Sequence, residues 1–346
     1  MTRWNYTCNN KNFINKLDAL AEKRTTGQEL QFNIPEIYND YDFSLEPAKT
    51  FEELCKSHAQ KIRNNYEKVH LWYSGGCDSH YILKIFLDNN IKIDQINLVR
   101  SGFSDADFEI NDYAIPFIKK LGITAKVHEP MLGYYENFYI KKDKMLGTAN
   151  DYWHHFRLNN HFENLEHHDT QGVAHIFGKE KPTIKFVNSK WYMYLLDVEV
   201  TPQPHQINFF LEDPMVHSKQ CHMLKNAIEN EKNVTEYNRV TFYNENQDFW
   251  NKSIGRYNGH KFPLKNLTKV NTFNKKDDLA IKQSPAEFVK AWKIRNLHLI
   301  KKYGKESFNN GDPALGTVGV FSKFFGLTKN EIKTVDELYP GGFKTQ

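Results

Sequence analysis

Apolar positions along the chain follow two alternating periods. Residues 51–66 ("FEELCKSHAQKIRNNY") set Phe51, Leu54, Cys55, Ala59 and Ile62 three and four apart, the spacing of one helical face. Residues 69–73 ("VHLWY") form a short apolar run of the kind a buried strand needs. Helical spacing returns over 79–89, where Tyr81, Ile82, Ile85 and Phe86 share a side. "IDQINLV" (93–99) predicts a second strand, 112–121 a helix stopped by Gly122, and 124–128 a third strand. Strands and helices in alternation, with short connections, predict a parallel sheet with right-handed crossovers, hence an α/β, doubly wound domain.

The flanks are less regular. Upstream, "NFINKLDALAEKR" (12–24) predicts an amphipathic helix, and "GQELQFNIPEIYNDYDFS" a turn-rich stretch. Downstream come a polar, aromatic helix over 150–168 and a strand over 172–177 ("GVAHIF"). "TIKFVNSKWYMYLLD" alternates as a hairpin turning near Asn188-Ser189. A helix over 217–229, a polar irregular segment over 244–278 and an amphipathic helix over 285–303 follow. The tail is a glycine-bearing loop running into an apolar segment. These patterns divide the chain into N-terminal helices (1–66), an α/β domain (67–200) and a mainly helical C-terminal region (201–346).

Composition narrows the class. With 40% hydrophobic residues, 25 Phe and 18 Tyr, there is core material for one large domain or two ordinary ones. No run approaches the ~20 apolar residues of a membrane span, and "MTRWNYTCNN" has no apolar signal-peptide segment. Cys8, Cys55, Cys77 and Cys221 are scattered with no CxxC pair, which speaks for reduced thiols in a cytoplasmic protein and against structural zinc. The net charge of +4 permits an anionic substrate without indicating nucleic acid.

The chemistry concentrates in "KVHLWYSGGCDSHYILKIFL" (68–87), where a strand hands over to a helix through Ser-Gly-Gly-Cys-Asp-Ser. A loop at the carboxyl end of a parallel strand sits where ligands bind in open α/β sheets. The helix behind it offers unpaired N–H groups and a partial positive charge. Gly75 and Gly76 let an oxyanion approach the backbone, and Ser74 and Ser79 add hydroxyls. A carboxylate repels polyphosphate, so Asp78 makes sense when it reaches phosphate through Mg²⁺, which takes oxygen ligands. The spacing is neither GxxxxGK[ST] nor GxGxxG. The plain alternative is a helix cap that happens to carry glycines.

Ser74-Gly75-Gly76-Cys77-Asp78-Ser79 resembles the SGGxDS PP-loop of the N-type ATP pyrophosphatases, the adenine nucleotide alpha hydrolase-like superfamily. That group includes asparagine, NAD, GMP and argininosuccinate synthetases, tRNA lysidine synthetase and the QueC-type enzymes. The helix "DYAIPFIKKLGI" (112–123) is similar to the family's helix after its second strand. The resemblance implies that ATP is cleaved between its α and β phosphates. It also implies that a carboxyl or amide oxygen is adenylated and that a nitrogen or sulfur nucleophile then displaces AMP. It implies that Ser74, Gly75, Gly76, Asp78 and Ser79 hold pyrophosphate, that Val99 and Arg100 lie against adenine, and that Cys77 is the variable, packing position.

Further positions are weighed beside that loop. "HIFGKEKP" (175–182) resembles in position the glycine and acid loop of the asparagine synthetase branch, which implies Glu180 as a candidate Mg²⁺ ligand and Lys179 or Lys181 as a candidate for neutralising pyrophosphate charge; the alternative is a charged turn. Because a C-terminal Lys or Ser closes over the adenylate in several ligases that the loop resembles, Lys323 in "VFSKFF" is a candidate for that role or else a surface lysine. His154, His161 and His168 share a helical face with Arg157, read as a pocket edge rather than a metal centre. His217 and Cys221 read as a helix with a buried thiol. The resemblance also gives exclusions. Without CxxC pairs or a C-terminal cysteine cluster, thiolation, QueC-type and sulfonucleotide-reductase branches are disfavoured, and Thr2 stands where a glutaminase nucleophile would be Cys.

The expected function is therefore an ATP- and Mg²⁺-dependent synthetase forming a C–N bond on a small molecule or nucleobase. Two alternatives stay open. One is an enzyme adenylating a tRNA base, with the basic, aromatic segment 251–276 on the RNA backbone. The other is a non-catalytic nucleotide-binding module, against which Asp78 argues.

Overall fold

The computed structural model describes residues 5–13, 16–100, 109–128, 172–178, 182–195, 206–230 and 322–340. Strands β1 (Asn5–Cys8), β2 (Lys11–Phe13) and β3 (Leu30–Asn33) form an antiparallel sheet in the order β2-β1-β3. Helix α1 (Lys16–Thr26) is inserted between β2 and β3, and the short α2 (Glu36–Asn39) follows. The N-terminal region is thus not purely helical, and its first helix starts at Lys16 rather than 12. The reason is the turn. Asn9 and Asn10 both take positive φ (50° and 58°), the two-residue hairpin geometry that commits residues 11–13 to pairing.

Helix α3 (Phe51–Asn65) buries the face its spacing predicts, and Thr50 with Glu53 closes its start in a capping box. Then come β4 (Lys68–Trp72), α4 (Cys77–Asp88) and β5 (Gln95–Val99). A π-helical turn (Glu109–Ala114) leads into α5 (Ile115–Lys120) and β6 (Ala125–His128). Pro116 in the first turn of α5 has no N–H to give, so the regular ladder cannot run unbroken through this stretch. Strand β7 (Val173–Phe177) is followed by the hairpin β8 (Ile184–Val187) and β9 (Lys190–Leu195). That hairpin turns at Asn188-Ser189, with φ of 51° and 62°. Next are β10 (Gln206–Asn208), α6 (Pro214–Asn230), β11 (Lys323–Gly326), β12 (Ile332–Thr334) and α7 (Val335–Leu338).

The centre is a five-stranded parallel sheet in the order β10-β7-β4-β5-β6. At this level the molecule is α/β and agrees with a doubly wound arrangement. Beyond residue 200 the described residues hold the 17-residue helix α6 and the short α7 beside three short strands. β10 joins the parallel sheet as its edge, and β11 and β12 complete a four-stranded antiparallel sheet, β12-β11-β9-β8. Among the described residues no helix is long and apolar enough to cross a membrane.

The two faces of the parallel sheet differ. One is aliphatic: Val69, Leu71, Ile96, Leu98, Ala174 and Ile176 join one core cluster with residues of α3, α4 and α5. Each buried Val, Leu or Ile among them contributes about 1.5–3 kcal/mol. The other face carries His70, Gln95, His175 and Gln206 in one register row, and Trp72, Asn97, Phe177 and Asn208 in the next. The amino end of the sheet is tied by Arg63, which bonds the Asp94 carboxylate, while Asp94 Oδ2 accepts the Val69 N–H at 2.8 Å.

Candidate functional site

The chain enters the site along β4, the middle strand. Tyr73 is its last paired residue, donating its N–H to Asn97 O at 2.8 Å. Ser74 then leaves the sheet. Gly75 turns the chain at φ +80°, a conformation a side chain would resist. Gly76 caps α4, whose first backbone bond runs from the His80 N–H to Gly76 O at 2.9 Å. The loop holds itself in shape through its hydroxyls. Ser79 Oγ accepts the Ser74 N–H (3.2 Å), donates to Gly76 O (3.1 Å) and lies 3.1 Å from Ser74 Oγ, which accepts the Gly76 N–H at 3.2 Å.

The amino end of α4 has no side-chain cap, whereas α3 and α7 are each closed by a Thr–Glu box. Its first-turn N–H groups, from Cys77 to Ser79, have no carbonyl of their own helix to bond and lie at the positive end of the helix dipole. Asp78 stands in that turn. Cys77 is 5% exposed and packs into a core cluster with Ile184, Met193, Leu195 and Phe325, so the antiparallel sheet braces the loop from behind. Burial pushes the neighbouring Tyr73 phenol up, with the Cys77 thiol adding to the effect, and its Oη lies 3.0 Å from His80 Nδ1.

Strand order gives the loop its setting. From β4 the chain moves outward through β5 and β6, then returns to the opposite side of β4 at β7 and continues to β10. The order reverses between β4 and β7, and open α/β sheets bind ligands beyond the carboxyl ends of the strands at such a point. Both strands deliver glycines there. Gly178 directly follows β7, and a Cβ on it would stand 2.6 Å from the Ser79 nitrogen and 2.9 Å from the Asp78 carbonyl carbon. The end of β7 thus meets the first turn of α4 backbone to backbone.

Val99 and Arg100 lie at the same edge, on the other side of β4. The Arg100 N–H bonds His128 O at 3.0 Å, and its Nε donates to Asn111 Oδ1 in the π-helical turn at 3.1 Å. Lys323 opens β11 on the antiparallel sheet, opposite Leu195 and two residues from Phe325 of the cluster behind the loop. It is half-buried, whereas Lys190, Lys329 and Lys333 of that sheet and its turns are all paired with glutamates. The structure therefore groups Ser74, Gly75, Gly76, Asp78 and Ser79 with Val99 and Arg100 at one edge and sets Lys323 on the neighbouring sheet. Lys179, Glu180, Lys181, the histidine face with Arg157 and the basic segment 251–276 lie outside the described residues.

Two features escape the sequence reading. Gly178 reads as part of a turn, and only the register of β4 with β7 shows that its missing side chain admits the loop. The second is the polar, aromatic sheet face. Trp72 Nε1 donates to His175 Nδ1 at 3.0 Å. Asn97 Oδ1 accepts from Gln95 Nε2 at 2.6 Å and lies 3.0 Å from His128 Nε2. The Trp72 ring is stacked with Phe177 (5.7 Å, 17°) and with His128 (5.3 Å, 25°). The signal was available: polar or aromatic residues recur at every second position in His70/Trp72, Gln95/Asn97, His175/Phe177 and Gln206/Asn208.

Chemically, the edge offers an uncapped helix terminus, backbone glycines on two strands and one carboxylate, a combination suited to an oxyanion accompanied by a cation. Among the described residues no three His, Cys, Asp or Glu side chains gather as a metal centre. No protein-family model matches the sequence, and no curated protein matches it.

Proposed function

We propose that the protein is an ATP pyrophosphatase-type synthetase that adenylates a carboxyl or amide oxygen, releases pyrophosphate, and forms a C–N bond with release of AMP. The observation that carries this reading is the Ser74–Ser79 loop at the carboxyl end of β4, at the strand-order reversal, with Gly178 pressed against it. The loop's resemblance to the SGGxDS PP-loop supplies the nucleotide and the bond that breaks. The α/β unit with its N-terminal sheet is the nucleotide-binding part, and the region beyond residue 200 supplies its edge strand and the acceptor side.

In this reading the loop amides and the Ser74 and Ser79 hydroxyls exchange their internal bonds for bonds to the β- and γ-phosphate oxygens. Val99 and Arg100 border the adenine. Asp78, in the first turn of an uncapped helix, fits a role in holding Mg²⁺, and Glu180 is the second carboxylate the sequence offers. The ion would supply charge neutralisation to the polyphosphate. Lys179 and Lys323 would add positive charge where pyrophosphate departs. The acceptor is a small molecule or a nucleobase, and an RNA base is the second arm of the same reading.

Product analysis tests the proposal. With Mg²⁺, ATP and panels of carboxylates, amines and RNA, the protein is expected to yield AMP and pyrophosphate. Formation of ADP and phosphate would sink the synthetase reading. Nucleotide binding without turnover under every condition would favour a binding module.

A further inference from the structure

Resting on the synthetase reading, which places a nucleotide base at the end of β5, we propose that Asn111 reads that base. Arg100 holds the Asn111 amide in the orientation that accepts adenine and refuses guanine.

The backbone brings the two residues to one place. Arg100 directly follows β5, and its N–H bond to His128 O keeps the chain at the sheet edge where the side chain leaves. The π-helical turn packs against β5. Ile110 and Ala114 join the core cluster of Val69, Leu71, Ile96 and Leu98, while Asn111, one residue after Ile110, is exposed. Single π-helical turns of this kind recur at functional sites. Strands β4 and β5 are neighbours, and neighbouring strands lie about 4.8 Å apart, so one nucleotide spans the distance from the 74–79 loop to the end of β5.

The amide orientation follows from the bond between the two side chains. Arg100 Nε donates to Asn111 Oδ1 at 3.1 Å. A guanidinium has donors only, so the amide atom facing it is the oxygen. An exposed asparagine is ordinarily free to turn its amide over, and this one is held. Its oxygen keeps a second lone pair beyond the Arg100 bond, and its Nδ2 makes no hydrogen bond among the described residues. Asn111 therefore presents an acceptor beside a donor in a fixed order.

Adenine carries the complement, an exocyclic N6–H donor beside a ring-nitrogen acceptor, the pair that asparagine takes bidentately. Guanine has O6 where adenine has N6–H, so O6 would oppose Asn111 Oδ1, lone pair against lone pair. A free amide would turn over, give Nδ2 to O6 and accept the guanine N1–H. The Arg100 bond prevents that turn. A bond that merely ties the π-helical turn to the strand end would respond differently to Asn111→Asp. Aspartate keeps an oxygen toward Arg100 and makes the tie an ion pair, but it has no N–H for a ring nitrogen.

The test is calorimetry on the full chain with Mg²⁺ and either α,β-methylene-ATP or α,β-methylene-GTP, whose α–β bridges resist cleavage. Inorganic pyrophosphate probes the loop alone. The wild type should prefer the adenine analogue by about tenfold or more. Asn111→Asp should lower that preference to about threefold or less, with pyrophosphate affinity and the denaturation midpoint at wild-type values. Arg100→Met frees the amide and should raise the guanine analogue relative to the adenine analogue. The proposal is overturned if the wild type has no base preference, or if Asn111→Asp or Arg100→Met keeps the wild-type ratio. It is also overturned if Asn111→Asp weakens both analogues and pyrophosphate in parallel, the mark of a structural tie alone. Binding of both analogues alike removes this assignment and leaves the synthetase reading standing. Failure of α,β-methylene-ATP to bind the wild type removes both.

Discussion

Gly178→Ala is a one-methyl test of how β7 and the 74–79 loop are fitted together. The new Cβ would meet the Ser79 nitrogen at 2.6 Å, the Asp78 carbonyl carbon at 2.9 Å and the Ser79 Cα at 3.0 Å. All three are backbone atoms, so no side chain can swing aside. Restoring an ordinary contact of 3.4 Å means moving the loop or the end of β7 by about 0.8 Å. Overpacking of this kind costs about 1–3 kcal/mol of stability. If the loop amides bind nucleotide as proposed, a shift near 1 Å costs on the order of 10²-fold in productive geometry. Urea denaturation should show the stability loss, and calorimetry with Mg²⁺ and α,β-methylene-ATP should show at least tenfold weaker binding. Gly122→Ala is the control. Its Cβ meets nothing within 4 Å, but its φ is +67°, so it should cost about 1 kcal/mol by backbone strain and leave nucleotide affinity alone. If Gly178→Ala matches the wild type in both measurements, the close approach of β7 to the loop is not what the structure shows.

Two further expectations concern stability and pH. Burial holds the His58 imidazole down at about 4, from its ordinary 6.5, against the upward pull of Asp213 at 3.6 Å. The unfolded chain therefore binds the extra proton between those values, and stability should fall as pH drops from 6.5 toward 4, by up to about 3 kcal/mol from this group. Denaturation midpoints of His58→Leu should be flatter over that window; an unchanged slope would show that His58 is not the group responsible. Asp94 is the opposite case. Burial raises its pKa, but bonds from Lys92, the Val69 N–H and Arg63 outweigh that and hold it at about 2. Its contribution is present above pH 3.8 and lost as pH falls toward 2. Asp94→Asn at neutral pH should cost roughly 1–2 kcal/mol, and a neutral result would mean that solvent already screens the Arg63 pair.

The parallel unit was legible because its strands are short apolar runs set between amphipathic helices. Val69–Trp72, Ile96–Val99 and Val173–Phe177 all pair in the sheet they predict. The hairpin around Asn188-Ser189 was legible because a positive φ at two successive residues selects Asn and its like. The N-terminal sheet was not. Its strands have three or four residues, too few for alternation at Tyr6/Cys8 or Leu30/Phe32 to outweigh the helical spacing of the segment between them. The pairing of Lys323–Gly326 with β9 joins residues more than a hundred positions apart, and such partners leave no local trace. At the site, the glycines and hydroxyls of residues 74–79 carry their chemistry in their identity. Gly178 carries it only through the neighbour it admits, and the polar sheet face only through a register the chain alone does not state.

The central claim is that the 74–79 loop holds the pyrophosphate portion of ATP through its amides and Asp78. Titration with Mg²⁺ and inorganic pyrophosphate tests it without knowledge of the acceptor. The account predicts that pyrophosphate binds, competes with α,β-methylene-ATP, and loses at least tenfold in affinity in Asp78→Ala, about 1.4 kcal/mol or more. Pyrophosphate that does not bind the wild-type chain, or that binds Asp78→Ala equally well, would contradict it.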